Sequence, residues 1–337
     1  MKAPLILAID TSCDETAVAV ARGRKILSNV ISSQINIHQK YGGVVPHLAK
    51  RAHQEKIEFV YQESLSRAHV SPSALNAIAV TVGPGLAPAL EVGIDFAKNL
   101  SQSLRRPLIA VNHMEGHLLS SLANNDFMPK NSLGLLVSGG HTEQVLLKTI
   151  GHYQLLGQTL DDAAGEALDK LAKMLKLGYP GGPIIEELAK TGDPDSIILP
   201  VPMRLSKDFN FSFSGLKTAA LTIIQRSQLT KKFSYNMAAS FQKAVALSLI
   251  TKLTKAIDEY QPQSILLGGG VISNLYIRRQ IRQTVKPYDL PIYLPYSKKL
   301  YTDNAAMIAI PAYFKYLKKE FVTDLDSLDR QPSLRFS

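Results

Sequence analysis

The chain has 337 residues, of which 45% are apolar, so it can bury a full hydrophobic core and form one large or two medium domains. Its formal charge of +10 at pH 7 favours an anionic partner, although the Lys and Arg residues are scattered rather than gathered in a tail. Cys13 is the only cysteine, which excludes an intramolecular disulfide and a cysteine-based zinc site, so His, Asp and Glu must hold any metal ion.

The first predicted elements are a β-hairpin and a long helix. Residues 5–9 form an apolar run, residues 10–15 a polar turn and residues 17–21 an alternating run, which together are typical of a hairpin. Because no charged leader, cleavage site or long hydrophobic segment precedes them, we expect a cytoplasmic protein without a membrane span. Pro46 begins a helix whose basic start is better explained by solvation than by contact with RNA.

A strand over residues 77–82 then leads into a Gly-Pro-Gly turn at residues 83–85 and an apolar helix over residues 87–104. Glycines at such turns let the backbone approach a ligand, and free amides there favour phosphate or carboxylate oxygens. For one such turn alone, tight backbone geometry is the commoner explanation.

The most informative motif is a pair of histidines, His113 and His117, after a short predicted strand. Two imidazoles four residues apart on a helix lie on one face and can share a metal ion. We take Asp303 as the third ligand, because two histidines and one carboxylate leave coordination positions open for substrate. Glu115 would point roughly 200° away from that face, which disfavours a metalloprotease. Two unrelated histidines remain the alternative on this motif alone.

The second half of the chain repeats the plan of the first. Strands over residues 133–137 and 144–148 flank a small polar turn at residues 138–142. A strand over residues 264–267 ends in three glycines, before a helix that begins near residue 274. Two hairpin turns and two glycine turns in matching order predict a phosphate clamp formed by two related halves.

Nine motifs, spread over nearly the whole chain, resemble those of a single family. The family is that of the tRNA threonylcarbamoyladenosine transferases, which comprises the bacterial TsaD proteins with their archaeal and eukaryotic relatives and was formerly labelled O-sialoglycoprotein endopeptidases. The motifs are residues 10–16 (DTSCDET), 83–86 (GPGL), 113–117 (HMEGH), 137–142 (VSGGHT), 161–170 (DDAAGEALDK), 178–183 (GYPGGP), 211–218 (FSFSGLKT), 268–274 (GGGVISN) and 302–307 (TDNAAM).

The resemblance implies an α/β fold of two actin-like, ribonuclease-H-like (ASKHA) domains with a nucleotide cleft between them. We expect the first lobe to span residues 1–110 and to be joined by a helix near residues 304–320. The second lobe would span residues 111–303 and carry the metal and nucleotide sites. Residues 321–337 would form a tail, mobile from about residue 324.

The resemblance also implies the residues of the site. His113, His117 and Asp303 would bind one divalent ion, which is iron(II) by the family's pattern, with zinc or magnesium as alternatives. His141 would lie at the reacting end, either as a base or as a positioning group. Threonylcarbamoyl-AMP, or an ATP- or AMP-type nucleotide, would be held by Leu136, Val137, Ser138, Gly139, Gly140, Asp169, Gly182, Glu186 and Asn274. Many relatives have an aspartate at the position of Glu186, which puts its expected ribose contact in doubt.

The implied reaction moves a threonylcarbamoyl group from its adenylate to N6 of adenosine 37 in tRNAs that read ANN codons, and AMP leaves. This mixed anhydride is already activated, so the enzyme mainly aligns a weak nucleophile and stabilises developing charge. We expect the amides of residues 138–140 to take that charge. The implied partners are tRNA, a TsaB-like paralogue, a TsaE-like ATPase and a TsaC-like synthase that supplies the adenylate.

Two other functions remain open at this point. A metal-dependent peptidase is favoured only by the two histidines and by the former family label. A nucleotide-dependent phosphotransferase or nucleotide switch is the other alternative, because the actin-like fold serves those functions too. Such proteins usually hold magnesium through carboxylates and water rather than through paired histidines.

Overall fold

The structure is a computed structural model that describes residues 3–336. Met1, Lys2 and Ser337, which the expected first lobe and tail include, lie outside the described residues. The strands are β1 (Leu5–Asp10), β2 (Glu15–Arg22), β3 (Lys25–Ser33), β4 (Ala77–Gly83), β5 (Leu108–Asn112), β6 (Ser132–Val137), β7 (Thr142–Thr149), β8 (His152–Gln158), β9 (Ser264–Gly268) and β10 (Ile292–Tyr293). The α-helices are α1 (Ile35–His38), α2 (Pro46–Ala68), α3 (Ala87–Leu104), α4 (His113–Leu119), α5 (Ala164–Met174), α6 (Gly181–Ala189), α7 (Ser214–Gln225), α8 (Lys231–Tyr260), α9 (Leu275–Val285) and α10 (Ala305–Lys318). Within residues 3–336, no helix has the length and apolar character needed to cross a bilayer.

The chain divides into two compact units. Unit 1 consists of Met1–Met128 and Leu294–Ser337, and unit 2 of Pro129–Tyr293. The divisions therefore lie after residues 128 and 293, whereas the sequence placed them after residues 110 and 303. The reason is that α4 follows β5 without a loop and packs against α10, which itself packs on β1 and β2. Both segments that carry the predicted metal ligands therefore belong to unit 1.

Unit 1 is built on a five-stranded sheet in the order β3-β2-β1-β4-β5. The strands β1, β2 and β3 are antiparallel neighbours, while β4 and β5 run parallel to β1. The central strand β1 is buried along its whole length, as its apolar sequence predicts. Because β1, β4 and β5 are parallel, their carboxyl ends share one edge of the sheet, and the residues that follow them can form a site there.

Unit 2 has a second five-stranded sheet, in the order β10-β9-β6-β7-β8. Read from β8, it repeats unit 1: β6, β7 and β8 are antiparallel neighbours, and β9 and β10 run parallel to β6. The long helix α8 packs against α6 and α9. This common order of the two sheets confirms the internal repetition that the paired turns predicted.

Residues 324–336 pack on unit 1, contrary to the expectation that they are mobile. Leu325, Leu328 and Leu334 lie against its apolar core. The amide of Gln331 donates to the Val82 carbonyl at 2.7 Å, at the carboxyl end of β4. Sequence composition suggested mobility because charged and polar residues dominate this segment, but its three leucines give it an apolar side to bury.

Candidate functional site

The histidine pair lies on α4, at the carboxyl edge of the unit 1 sheet. Asn112 ends β5 and caps the helix, because its side-chain oxygen accepts hydrogen bonds from the amides of Met114 at 2.8 Å and Glu115 at 3.2 Å. The rings of His113 and His117 are nearly perpendicular, with centroids 4.8 Å apart. Both side chains are buried, so their nitrogens lie in a fixed, largely dry environment.

Asp303 brings a carboxylate to both rings, as the sequence predicted. Its Oδ1 atom lies 3.1 Å from Nε2 of His117 and 3.4 Å from Nε2 of His113. One potential ligand atom from each of the three residues lies within 4.8 Å of the others. Two imidazole nitrogens and one carboxylate oxygen are a donor set that suits a transition-metal ion or zinc better than magnesium. The geometry therefore fits the divalent ion that the motif implied.

The close approach of α4 and α10 explains the glycine between the two histidines. A Cβ atom on Gly116 would lie 2.9 Å from Cδ1 of Ile308 and 3.2 Å from Cγ of Met307, both on α10. Only glycine therefore lets α10 pack this near to α4 without displacement. Since Asp303 lies just before α10, the contact between Gly116 and α10 helps to set the distance from Asp303 to the rings of His113 and His117.

Asp10, to which sequence analysis assigned at most a supporting role beside its place in a polar turn, is a further carboxylate at this site. Its Oδ1 atom lies 3.5 Å from Nδ1 of His113, and both atoms are buried without a hydrogen-bond partner in the described part of the chain. Burial lowers the pKa of His113, but the carboxylates of Asp303 and Asp10 raise it, to about 10. A histidine that binds metal through one ring nitrogen commonly offers the other to a carboxylate, and Asp10 is placed for that role. The shared edge of β1 and β5 is the signal that could have identified it.

Glu115 does not face the ligand atoms. It is buried, and its Oε2 atom lies 3.8 Å from Nζ of Lys315 on α10. This contact with α10 agrees with the predicted direction of Glu115 away from the histidine face, so Glu115 is not placed as the base of a metalloprotease. Its position argues against a peptidase.

In unit 2, the turn between β6 and β7 carries residues 138–141. The Ser138 amide donates to the His141 carbonyl at 2.8 Å, so it is already engaged within the turn. The carbonyls of Ser138 and Gly139 accept hydrogen bonds from Gly165 and Glu166, both at 3.2 Å, which fastens the turn to the start of α5. Gly139 and Gly140 are exposed, and a Cβ on either would meet no atom within 4 Å. Their backbone is therefore open to a ligand.

Two of the predicted substrate-binding residues are core residues of β6. Leu136 and Val137 have no exposed surface, so only their backbone can contribute to a site. A Cβ on Gly269 would lie 2.4 Å from the Val137 carbonyl oxygen. The turns after β6 and β9 are therefore in contact, at the shared carboxyl edge of two parallel strands.

Three more of the predicted residues act as helix caps. The Oδ1 atom of Asp169 accepts from the amides of Gly181 at 2.7 Å and Gly182 at 3.1 Å, at the start of α6. The Oε1 atom of Glu186 accepts from the Leu275 amide at 2.7 Å, at the start of α9. Asn274 caps the same helix.

Asn274 is also tied to α8. Its side-chain oxygen accepts from the Ile277 amide at 3.0 Å, and its nitrogen donates to Oε1 of Gln242 at 2.6 Å. The caps thus join α5, α6, α8 and α9 into one hydrogen-bonded arrangement. The family resemblance assigned these residues to the nucleotide, and their capping contacts have no local sequence signal because they depend on which helix ends pack together.

The glycine turn at residues 83–85 differs from the hairpin turn at residues 138–141 in what its glycines contact. In unit 1, a Cβ on Gly83 would lie 1.8 Å from the carbonyl oxygen of Gln331, and one on Gly85 would lie 2.5 Å from that of Ser12. The Gly85 amide donates to the Pro332 carbonyl at 3.2 Å. The turn at residues 83–85 is therefore packed by its own chain rather than open to phosphate, in contrast to residues 139–140.

Two acidic residues to which no role was assigned from the sequence organise the surroundings of α5 and α7. Asp161 accepts hydrogen bonds from Ser212, Phe213 and Ser214, and so holds the start of α7. Asp162 lies 2.6 Å from the ammonium groups of both Lys170 and Lys217. Lys217, in the motif at residues 211–218, is thus an ion-pair partner of Asp162.

The chain is similar in sequence to known proteins of one family. The TsaD family model, described as tRNA N6-adenosine threonylcarbamoyltransferase, matches residues 25–310. The tRNA N6-adenosine threonylcarbamoyltransferase of Thermosipho africanus (strain TCF52B) is 45% identical over 331 residues, which are 98% of this chain and 99% of that protein.

Solved structures of lower identity agree in fold. The crystal structure of T. kodakarensis HypF has a TM-score of 0.65 at 15% identity, covering 95% of this chain and 48% of that one. An ROK hexokinase from Thermus thermophilus has a TM-score of 0.50 at 18% identity, covering 94% of this chain and 99% of that one. These two likenesses show the fold alone, and they confirm the predicted pair of actin-like domains.

Proposed function

The chain belongs to the TsaD family of tRNA N6-adenosine threonylcarbamoyltransferases, and from this premise we propose how its own residues carry out the transfer. It is a transferase that modifies tRNA: the threonylcarbamoyl group of threonylcarbamoyl-AMP passes to N6 of adenosine 37 in tRNAs that read ANN codons, forming t6A and releasing AMP. The observation that carries the proposal is the convergence of His113 and His117 on one oxygen of Asp303, in a chain that matches a named relative over 98% of its length.

His113, His117 and Asp303 hold one divalent ion in this proposal, with iron(II) favoured and zinc as the main alternative. The donor set supports this choice, because imidazole nitrogen suits both ions. When bound, the ion supplies a fixed positive charge with positions open to an anionic group of the substrate. Asp10 orients the ring of His113 from its other nitrogen, and Gly116 keeps α10 close enough for Asp303 to reach the pair.

The amides of Gly139 and Gly140 take the charge that develops during transfer. The N6 amine attacks the carbamoyl carbon, the bond from that carbon to the phosphate oxygen breaks, and N6 gives up one proton. Exposed amides beside an unobstructed backbone can stabilise the developing negative charge. His141, next in the turn, accepts the proton from N6. The Ser138 amide is not assigned to this charge because it is bonded to the His141 carbonyl.

Asp169, Glu186 and Asn274 support the nucleotide by placing helix starts. Asp169 fixes the amides of Gly181 and Gly182, and a Cβ on Gly182 would meet no atom within 4 Å, so a ligand can approach its backbone. Glu186 and Asn274 hold the start of α9. We assign the adenosine end of the substrate to this group of helix ends, in keeping with the binding role that the resemblance gave these residues.

The partners and location follow from the proposed reaction. A TsaC-like synthase supplies the adenylate, and a TsaB-like paralogue and a TsaE-like ATPase act together with this chain; the family resemblance supports these three assignments. The cytoplasm is the proposed location, because tRNA is modified there. Reconstitution with each partner added in turn, measuring t6A yield, tests them separately.

The experiment is a single-turnover transfer with threonylcarbamoyl-AMP and unmodified tRNA, with t6A measured by nucleoside mass spectrometry and bound metal by elemental analysis. We expect His117→Ala to lose the metal and the transfer, and His152→Ala, which removes an exposed histidine of β8, to keep both. We expect His141→Ala to keep the metal and to slow transfer by about 10²–10⁴-fold. Wild-type transfer by metal-free His117→Ala would overturn the metal assignment, and a full rate for His141→Ala at saturating substrate would remove the base.

A further inference from the structure

Helix α9 presents a row of cations to solvent. Ile277, Ile281 and Val285 are buried, and α9 packs against α8. The opposite side carries Arg279 and Arg282, and Lys286 follows directly after the helix with helical backbone angles; all three are exposed. At 100° per residue, these three side chains lie within about 60° of one another around the helix axis. They therefore form one face, which we call the α9 basic face.

The cations of this face form no ion pair within the described residues, in contrast to the paired arginines of α2. On α2, Arg51 pairs with Glu55, and Arg67 pairs with Glu63, each four residues away. Residues 261–288 contain no Asp or Glu. Throughout the described ranges, no ion pair involves a residue of the α9 basic face. Its charge is therefore not neutralised by the protein itself.

The acidic groups nearest to α9 in sequence or contact lie at its ends. Glu186 accepts from the Leu275 amide, and Asp289 follows the helix. Asp258 of α8 accepts a hydrogen bond from the hydroxyl of Tyr288 at 2.9 Å. These groups leave the middle of the face, at Arg279 and Arg282, without an acidic partner.

The face begins at the proposed substrate site. Asn274 caps α9, so Arg279, Arg282 and Lys286 lie about 7, 12 and 18 Å along the axis from it, at 1.5 Å per residue. A row of separate positive charges that leads away from a nucleotide site suits a chain of regularly spaced phosphates. Arginine can also bind phosphate through two parallel hydrogen bonds, whereas lysine binds it as a point charge.

We infer that the α9 basic face binds the phosphate backbone of the tRNA next to the nucleotide that is modified. This inference rests on the proposed function, because it names where the tRNA of that reaction is held. The contacts carry no sequence information; they position the strand and raise its affinity through release of counterions. Three phosphate contacts make the slope of log K against log salt concentration more negative by about 2 to 3, where K is the association constant for tRNA.

The test compares full-length wild-type protein with the triple variant Arg279→Gln, Arg282→Gln, Lys286→Gln. The control is Lys148→Gln, Lys231→Gln, Lys232→Gln, which makes the same change in net charge at exposed positions outside α9. Binding of fluorescent tRNA is measured by anisotropy from 50 to 300 mM KCl, and transfer is measured with the partner proteins present. Matching thermal unfolding of the three proteins shows that each is folded.

We expect the α9 variant to bind tRNA about 10- to 100-fold more weakly, with the salt slope reduced by about 2 to 3. The KM for tRNA should rise while the rate at saturating tRNA stays near wild type, because no group that touches the adenylate changes. The control should keep wild-type affinity and slope. An α9 variant that is indistinguishable from wild type in affinity and salt slope, or a control that loses as much as the α9 variant, overturns the inference. If wild-type protein forms no t6A with its partners, the proposed function fails instead, and the two failures are distinguishable.

Discussion

Replacement of Gly83 by alanine tests the packing of residues 331–334 on unit 1. The added Cβ would lie 1.8 Å from the oxygen and 2.7 Å from the carbon of the Gln331 carbonyl, and 3.2 Å from Cβ of Leu334. All three nearest atoms belong to the tail segment, so the segment must move. That movement breaks the hydrogen bonds from Gln331 to Val82 and from Gly85 to Pro332, at about 1 kcal/mol each. The alanine also adopts a backbone angle φ of +157°, at a cost of about 1 kcal/mol.

We therefore expect Gly83→Ala to lower the free energy of unfolding of unit 1 by about 3 kcal/mol. Deletion of residues 331–337 should lower it by more than about 2 kcal/mol, because it removes the same two hydrogen bonds, the packing of Leu334 and the hydrogen bond from Asn112 to Arg335. In the shortened chain the substitution should cost only about 1 kcal/mol, because nothing remains for the Cβ to meet. Urea unfolding of the four proteins, followed by circular dichroism, measures this coupling of about 2 kcal/mol. Additive effects would refute the reasoning.

Three further changes test the site and its surroundings. Asp10→Ala should weaken metal binding by about 10- to 100-fold, because His113 loses the carboxylate on its second nitrogen; calorimetry measures this, and an unchanged affinity would contradict it. Gly116→Ala should lower the unfolding free energy by about 1–3 kcal/mol and weaken metal binding, because Ile308 and Met307 must shift where α10 contacts α4; equal metal affinity would show that Asp303 does not depend on this contact. Asp162→Asn should destabilise the protein by about 1 kcal/mol at pH 7, with exposed Asp126→Asn as a silent control. Burial raises the pKa of Asp162, but Lys170 and Lys217 hold it below its usual value. The stabilisation that Asp162 provides is therefore present above about pH 4 and is lost as pH falls through the folded-state pKa. A difference in unfolding free energy between wild type and Asp162→Asn that does not change with pH would contradict this.

Much of the sheet structure could be predicted from the sequence. The apolar run of β1, the alternation of β2 and the glycine turns after β4 and β9 are local signals, and the structure confirms each of them. The strands β3, β8 and β10 were not predicted. All three lie at the edges of their sheets and are only partly buried, so their apolar residues do not stand out from those of a surface segment.

The site was predictable where its residues are close on one helix and less so where they are distant. His113 and His117 follow from helical spacing, and the structure brings them to Asp303 as predicted. The partner of His113 on β1 depends on strand order, which the sequence does not state. In the same way, the capping roles of Asp169 and Glu186 depend on which helix ends pack together, a tertiary property without a local signal.

Asp303 lies 186 residues after His117, on the far side of the continuous segment that forms unit 2. During translation both histidines therefore emerge from the ribosome well before the carboxylate that completes their ligand set. Unit 2 can finish folding in that interval, while unit 1 still lacks α10. A nascent chain halted within unit 2 thus lacks Asp303, and the candidate ligand set of His113, His117 and Asp303 is complete only after all of unit 2 has been synthesised.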